Sequence, residues 1–158
     1  MVAAQGLQEQ VAGKVNEIKS LVEGLSGERG TKKPSVDEWC VNEVLSHLIG
    51  PELGSWKGGI ESINREDTPL IDLSPGVSYH ESRSGQSTAE LLAAFEKEYT
   101  AVGEYLGSLS EEQLNRKAHV PIFKETPLGE YPTLEQFAAG IVNYHMADHV
   151  QQIRNLCQ

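Results

Sequence analysis

The sequence is poor in cysteine, in basic residues and in long apolar runs, and each shortage removes a class of protein. Two cysteines in 158 residues, Cys40 and Cys157, cannot build a disulfide framework. They read as reduced thiols, the usage expected of a cytoplasmic protein. Thirteen Lys and Arg stand against 23 Asp and Glu, a formal net charge of -10 with a pI near 4.9. That field repels phosphate backbones and anionic membrane surfaces, so neither nucleic acid nor a lipid headgroup layer is an expected partner. No apolar stretch approaches the roughly 18 residues that a membrane span needs. The opening MVAAQGLQEQVAGK has neither the basic nor the apolar region of a signal peptide. Aromatics are only 6% of the chain, yet apolar residues reach 39% and charged residues 23%, an ordinary globular balance. The length suits one domain over residues 1–158, with a core large enough to need no staples.

What the chain does have is helical periodicity. Leu7, Val11, Val15, Ile18, Val22 and Leu25 recur in steps of three and four, and the GERG run after them should end that helix. Val41, Val44, Leu45, Leu48, Ile49, Leu53, Trp56, Ile60 and Ile63 mark a second helix, with Gly50-Pro51 placed to kink or split it. Residues 65–85 show no period and predict a long loop. Ser87 or Thr88 caps a third stripe of Leu91, Leu92, Phe95, Tyr99, Val102 and Leu106. After an irregular stretch, in which KAHVPIF could be a short strand, Thr133 caps a fourth helix. The expected helices fall near 5–26, 37–64, 88–108 and 133–157, an all-α four-helix bundle whose long second connection can leave helices two and three parallel. Trp56, Ile60 and Ile63 extend an already apolar face, which suggests surface for a second copy and a homodimer.

Chemistry concentrates in the histidines, of which there are five. His145 and His149 stand at i, i+4 in YHMADH, so both rings leave one face a turn apart, a spacing suited to one metal ion. They also fall on the stripe Leu134, Ala138, Ile141, His145, His149, Gln152, Leu156, which should be core, where paired imidazoles need partners. Backbone or water could satisfy them; a shared ion would satisfy both. His47 lies off the centre of its own apolar stripe, on a side carrying Cys40, Pro51, Gly54, Ser55, Gly58 and Ser62, small residues that could leave a groove open. It is about 12 Å from its helix start and His149 about 12 Å from the chain end, so antiparallel neighbours would bring them to one level. An exposed surface His47 is the competing reading. His80 and His119 read as loop residues. Glu43, four before His47, could orient its ring from behind or simply sit in a solvent-facing pair. HMADH has no general-base Glu after its first histidine and only an Asp in the inverted arrangement, which argues against peptidase chemistry.

Taken together, DEWCVNEVLSHL (Trp39, Glu43, Leu45, His47, Leu48) and YHMADHVQQIRNL (His145, His149, Gln152, Ile153) resemble the DinB/YfiT-like superfamily. The resemblance implies an up-down-down-up four-helix bundle, often dimeric, with a divalent metal on three histidines that map to His47, His145 and His149. It also implies enzymes that use low-molecular-weight thiols as S-transferases or isomerases on small molecules, alongside suggested hydrolases. Three imidazoles leave a coordination position open. Zn²⁺, Ni²⁺ and Fe²⁺ all accept such ligands. An open position can acidify water for hydrolysis or hold a thiol as thiolate for transfer. The expectation is therefore a metal-dependent thiol transferase, with a hydrolase or a non-catalytic binding bundle as alternatives, and with the small-residue side of His47 and the two long loops as substrate walls.

Overall fold

The predicted stripes become the faces that meet. In the computed structural model, which describes residues 2–73 and 83–158, α1 (Val2–Val22) buries Leu7, Val11, Val15, Ile18 and Val22. Helix α5 (Thr88–Gly107) buries Leu91, Leu92, Phe95, Tyr99, Val102 and Leu106, and Ser87 caps it by accepting from the Glu90 amide at 3.1 Å. GERG does not simply end the first helix. Ser26 accepts from the Arg29 amide and folds Gly27–Gly30 into a single further turn, α2.

The second predicted helix is two, α3 (Val41–Ile49) and α4 (Ser55–Arg65). Pro51 cannot donate to the ladder, and Gly50 and Gly54 take φ of 88° and 91°, which only glycine adopts without strain. The break exposes carbonyls on one side and amides on the other. The carbonyls are taken by Arg83, whose guanidinium donates to Ser46 and Gly50, and by the Tyr99 hydroxyl, which donates to Leu48 at 2.6 Å. The amides are taken by the buried carboxylate of Glu98, which accepts from Gly54 at 2.6 Å, Trp56 at 3.0 Å and Lys57 at 3.3 Å. Each end thus receives the sign of charge that its dipole favours.

The stretch read as irregular before the last helix contains α6 (Glu111–Leu114), opened by a Ser110–Gln113 capping box. KAHVPIF makes isolated bridges, Leu70 with His119 and Lys117 with Thr133, and then a 3₁₀ turn at Pro121–Phe123, not a strand. The fourth arm runs through α7 (Leu134–Gly140), a π-helical segment (Ile141–Met146) and α8 (Ala147–Leu156). Thr133 caps it, accepting from the Gln136 amide at 3.1 Å.

Cross-links between arms give their directions. Lys19 meets Glu96 at 3.3 Å, and Val11 lies beside Gly103, so the first and third arms are antiparallel. Asn42 pairs with Thr88, Leu48 with Tyr99 and Asn64 with Tyr105, so the second and third are parallel. Glu17 meets Arg154 at 3.6 Å, and the Cys157 thiol donates to the Leu21 carbonyl, so the fourth runs with the first. The bundle is up-down-down-up. Ile60 and Ile63 are buried inside it, so the apolar face that suggested a homodimer is used within the chain. No described helix is long and apolar enough to cross a membrane.

Candidate metal centre

The π-helical segment sets the phase of the last arm. Counted at about 100° per residue from Ala138, a regular helix would aim His145 and His149 within about 20° of the core and leave Met146 and Val150 roughly 80–120° away. The structure buries Met146, Val150 and Ile153 instead, while His145 and His149 are half-buried at the core's margin. One extra residue in the π turn shifts the buried positions by one, a device common at functional sites. The histidines are therefore not core residues, as their stripe suggested, but line an edge that faces α3.

There they meet His47. One ligand nitrogen from each of His47, His145 and His149 lies within 4.8 Å of the others. The ring centroids are 5.2 Å apart for His47–His145 and 4.8 Å for the other two pairs. Ligands about 2.0–2.1 Å from a tetrahedral ion sit about 3.3 Å from each other, so small rotamer adjustments would complete the contact. Two further observations fit an ion. Nε2 of His145 is buried with no hydrogen-bond partner among the described residues, an arrangement that folded proteins seldom leave unresolved. Burial, and then the neighbouring His149 and His47, lower the His145 pKa to about 4, so its lone pair is free at neutral pH. The donor set is nitrogen only, which suits Zn²⁺, Ni²⁺ or Fe²⁺ and is wrong for Ca²⁺ or Mg²⁺.

Neighbouring side chains fix the rings. Gln152 places its amide oxygen 2.8 Å from His149 Nδ1, so Nδ1 donates and Nε2 keeps its lone pair. The Trp39 indole packs on His47 at 4.9 Å and lies nearly parallel to His149 at 6.4 Å. Trp56 packs on His145, with ring centroids 5.8 Å apart. A surface depression bordered by Pro34, Asp37, Glu38, Trp39, His149 and Gln152 opens beside the cluster. It lies on the side of the first connection, not on the small-residue side of His47. The break at residues 50–54 explains this, because Gly58 and Ser62 belong to a separate helix and share no continuous face with His47.

The other candidates lie elsewhere. Glu43, expected behind His47 or in a solvent-facing pair, accepts from the Cys40 amide at 3.1 Å and meets Lys33 at 3.5 Å, which caps α3. Cys40 is buried and burial raises its thiol pKa. His119 contacts Glu130 at 2.9 Å and stacks on Tyr131. His80 lies outside the described residues. Sequence reasoning overlooked Glu98, although a carboxylate three residues after Phe95 and four before Val102, on a buried stripe, was a readable signal.

Comparison with known proteins agrees with this fold. A Bacillus subtilis (strain 168) relative, the uncharacterized protein YuaE, is 26% identical over 159 residues, covering 89% of this chain and 88% of its own. The solved structure of YfiT from Bacillus subtilis, described as a probable metal-dependent hydrolase with an unusual four-helix bundle topology, superposes with a TM-score of 0.75. That match covers 97% of this chain and 85% of YfiT at 21% identity, a likeness of fold. The sequence pattern of the DinB superfamily matches residues 14–153, and with that span the chain belongs to the DinB superfamily.

Proposed function

We propose that this protein is a divalent-metal-dependent enzyme acting on a small molecule, with His47, His145 and His149 as the ligands and thiol-dependent S-transfer as its reaction. The observation that carries the reading is the convergence of three half-buried imidazoles in a cluster that, among the described residues, contains no carboxylate. A bound ion would supply Lewis acidity, holding a thiol as thiolate or acidifying water. S-transfer to an activated electrophile needs only the deprotonated thiol, and among the described residues no carboxylate joins the three histidines to act as a base. The chain's contribution is to keep the His145 ring neutral through burial and the neighbouring His149 and His47, to set the His149 tautomer through Gln152, and to wall the centre with two indoles. Substrate enters from the depression beside Trp39 and His149.

Hydrolysis is the second reading, favoured by the description of YfiT as a probable metal-dependent hydrolase. One experiment separates the two. Protein purified without a chelating column is assayed for bound metal by X-ray fluorescence. It is then offered 1-chloro-2,4-dinitrobenzene with a panel of small thiols, and p-nitrophenyl acetate without thiol. Thiol-dependent turnover lost on chelation supports transfer. Ester turnover alone supports hydrolysis, and absence of metal binding overturns both.

A further inference from the structure

The centre carries a second unpartnered polar atom besides His145 Nε2: the indole nitrogen of Trp56, Nε1, is buried with no hydrogen-bond partner among the described residues. The two rings are neighbours, with centroids 5.8 Å apart. An ion answers only the first of them. An indole N–H is a donor with no lone pair to offer, so it cannot ligate a cation and still requires an acceptor.

The position of that N–H is well defined. A Cβ placed on Gly50 would lie 3.3 Å from Nε1 and 3.5 Å from Cδ1 of Trp56, so the nitrogen-bearing edge of the indole rests against Gly50. Gly50 closes the helix of His47, and its amide donates to the His47 carbonyl at 3.1 Å. The N–H edge is thus held beside the end of the His47 helix while the ring covers His145. The backbone is fixed as well, because Glu98 accepts from the Trp56 amide at 3.0 Å. The other indole, Trp39, packs on His47 and His149.

We propose that Trp56 is a positioning residue whose indole N–H donates to the lone-pair-bearing atom of an anionic ligand, such as a thiolate or azide, taken on the open side of the three-histidine centre. The inference rests on the metal-dependent reading above. It assigns a preference as well as a contact. An anionic donor atom keeps lone pairs after coordination and can accept from Trp56, whereas the ligating nitrogen of a neutral imidazole has none left. A cationic or apolar group in that place would leave the indole unpaired.

Azide and imidazole are therefore matched probes. The sequence has two tryptophans, so ¹⁵N-labelled, Zn²⁺-loaded protein should give two indole N–H cross-peaks. Trp56→Phe, which keeps an aromatic ring and deletes the donor, identifies the Trp56 peak. Azide should move that peak downfield and slow its exchange with solvent, and imidazole should do neither. In Co²⁺-substituted protein followed by visible absorption, Trp56→Phe should weaken azide about tenfold, the equivalent of one hydrogen bond, and leave imidazole within about twofold. Equal losses for both probes, or no loss for either, would overturn the role of Trp56 while the metal centre stands. Failure of the wild-type protein to take up Co²⁺ would overturn the centre itself and this inference with it. If Trp56→Phe does not fold, the wild-type peak is assigned by its NOE to Gly50, and its response to azide decides.

Discussion

Removing the carboxylate of Glu98 should cost more than almost any other single polar change in this chain. Glu98 is 3% exposed, and three amides at the start of α4 donate to it. Glu98→Ala leaves those donors without an acceptor. A single helix cap is worth about 1 kcal/mol, and hydrogen bonds to a charged group about 1.5–3 kcal/mol each. Gly54 is exposed and can turn to water, so the full sum overstates the loss. A cost of about 3–5 kcal/mol is expected, in the range found when one partner of a buried charged arrangement is deleted. At about 2–4 °C per kcal/mol for a chain of this size, the melting temperature should fall by roughly 6–20 °C. Glu98→Gln keeps the shape and one acceptor and should fall between the wild type and Glu98→Ala. Urea denaturation gives the stabilities, and hydrogen exchange gives the location, since the Trp56 and Lys57 amides should lose protection first. A Glu98→Ala cost below about 1 kcal/mol, or unchanged exchange at Trp56, would show that the carboxylate does not hold the break together.

Four further outcomes are expected. His149→Ala should abolish stoichiometric Zn²⁺ or Co²⁺ binding by calorimetry, whereas His119→Ala, which removes only a contact to Glu130 and Tyr131, should leave it unchanged. Gln152→Ala should weaken metal about 10–100-fold by freeing the His149 tautomer, and an unchanged Kd would deny the amide that role. Between about pH 6.5 and 4 the unfolded chain binds a proton at His145 that the folded chain refuses, so metal-free protein should lose stability as pH falls through that window. The urea midpoint of wild type should accordingly fall relative to that of His145→Gln towards pH 4, and a constant difference would contradict the shift. Cys40, buried and with its thiol pKa raised, should react with a thiol reagent only on unfolding, and fast labelling of the native protein would be inconsistent with its burial.

The bundle was legible because its stripes are local. Leu7 to Val22 and Leu91 to Leu106 announce one buried face each, and Ser87 and Thr133 announce starts through short-range hydrogen bonds to the third residue on. The three histidines were legible too, His145 and His149 from their spacing and His47 from its depth along the second arm. What stayed hidden depends on pairs distant in sequence. Glu98 and Arg83 are ordinary charges until the fold sets them at the broken ends of α3 and α4. Glu43 was read as a partner for His47 or a surface residue because its bond to the Cys40 amide competes locally with both roles. Trp56 was read as an apolar surface because its periodicity matches Ile60 and Ile63, whereas its nitrogen only acquires meaning beside Gly50 and His145. The π turn has no composition of its own, so the phase of the last arm could not be read from its residues.

That turn has a genetic consequence. Met146, Val150 and Ile153 lie 8, 12 and 15 residues after Ala138, intervals that a regular helix would splay away from the core. Loss of one codon, most simply that of the exposed Asn143, would shorten them to 7, 11 and 14, the intervals of an uninterrupted amphipathic helix. The hydrophobic packing would then survive in a more regular and locally less strained element. His149 would keep its place relative to Val150 and Ile153, but His145, which lies inside the segment being straightened, would be re-aimed. A reading frame one triplet shorter could thus encode a sound bundle with a defective ligand set. The extra residue favours the convergence of the three histidines over the regularity of the helix.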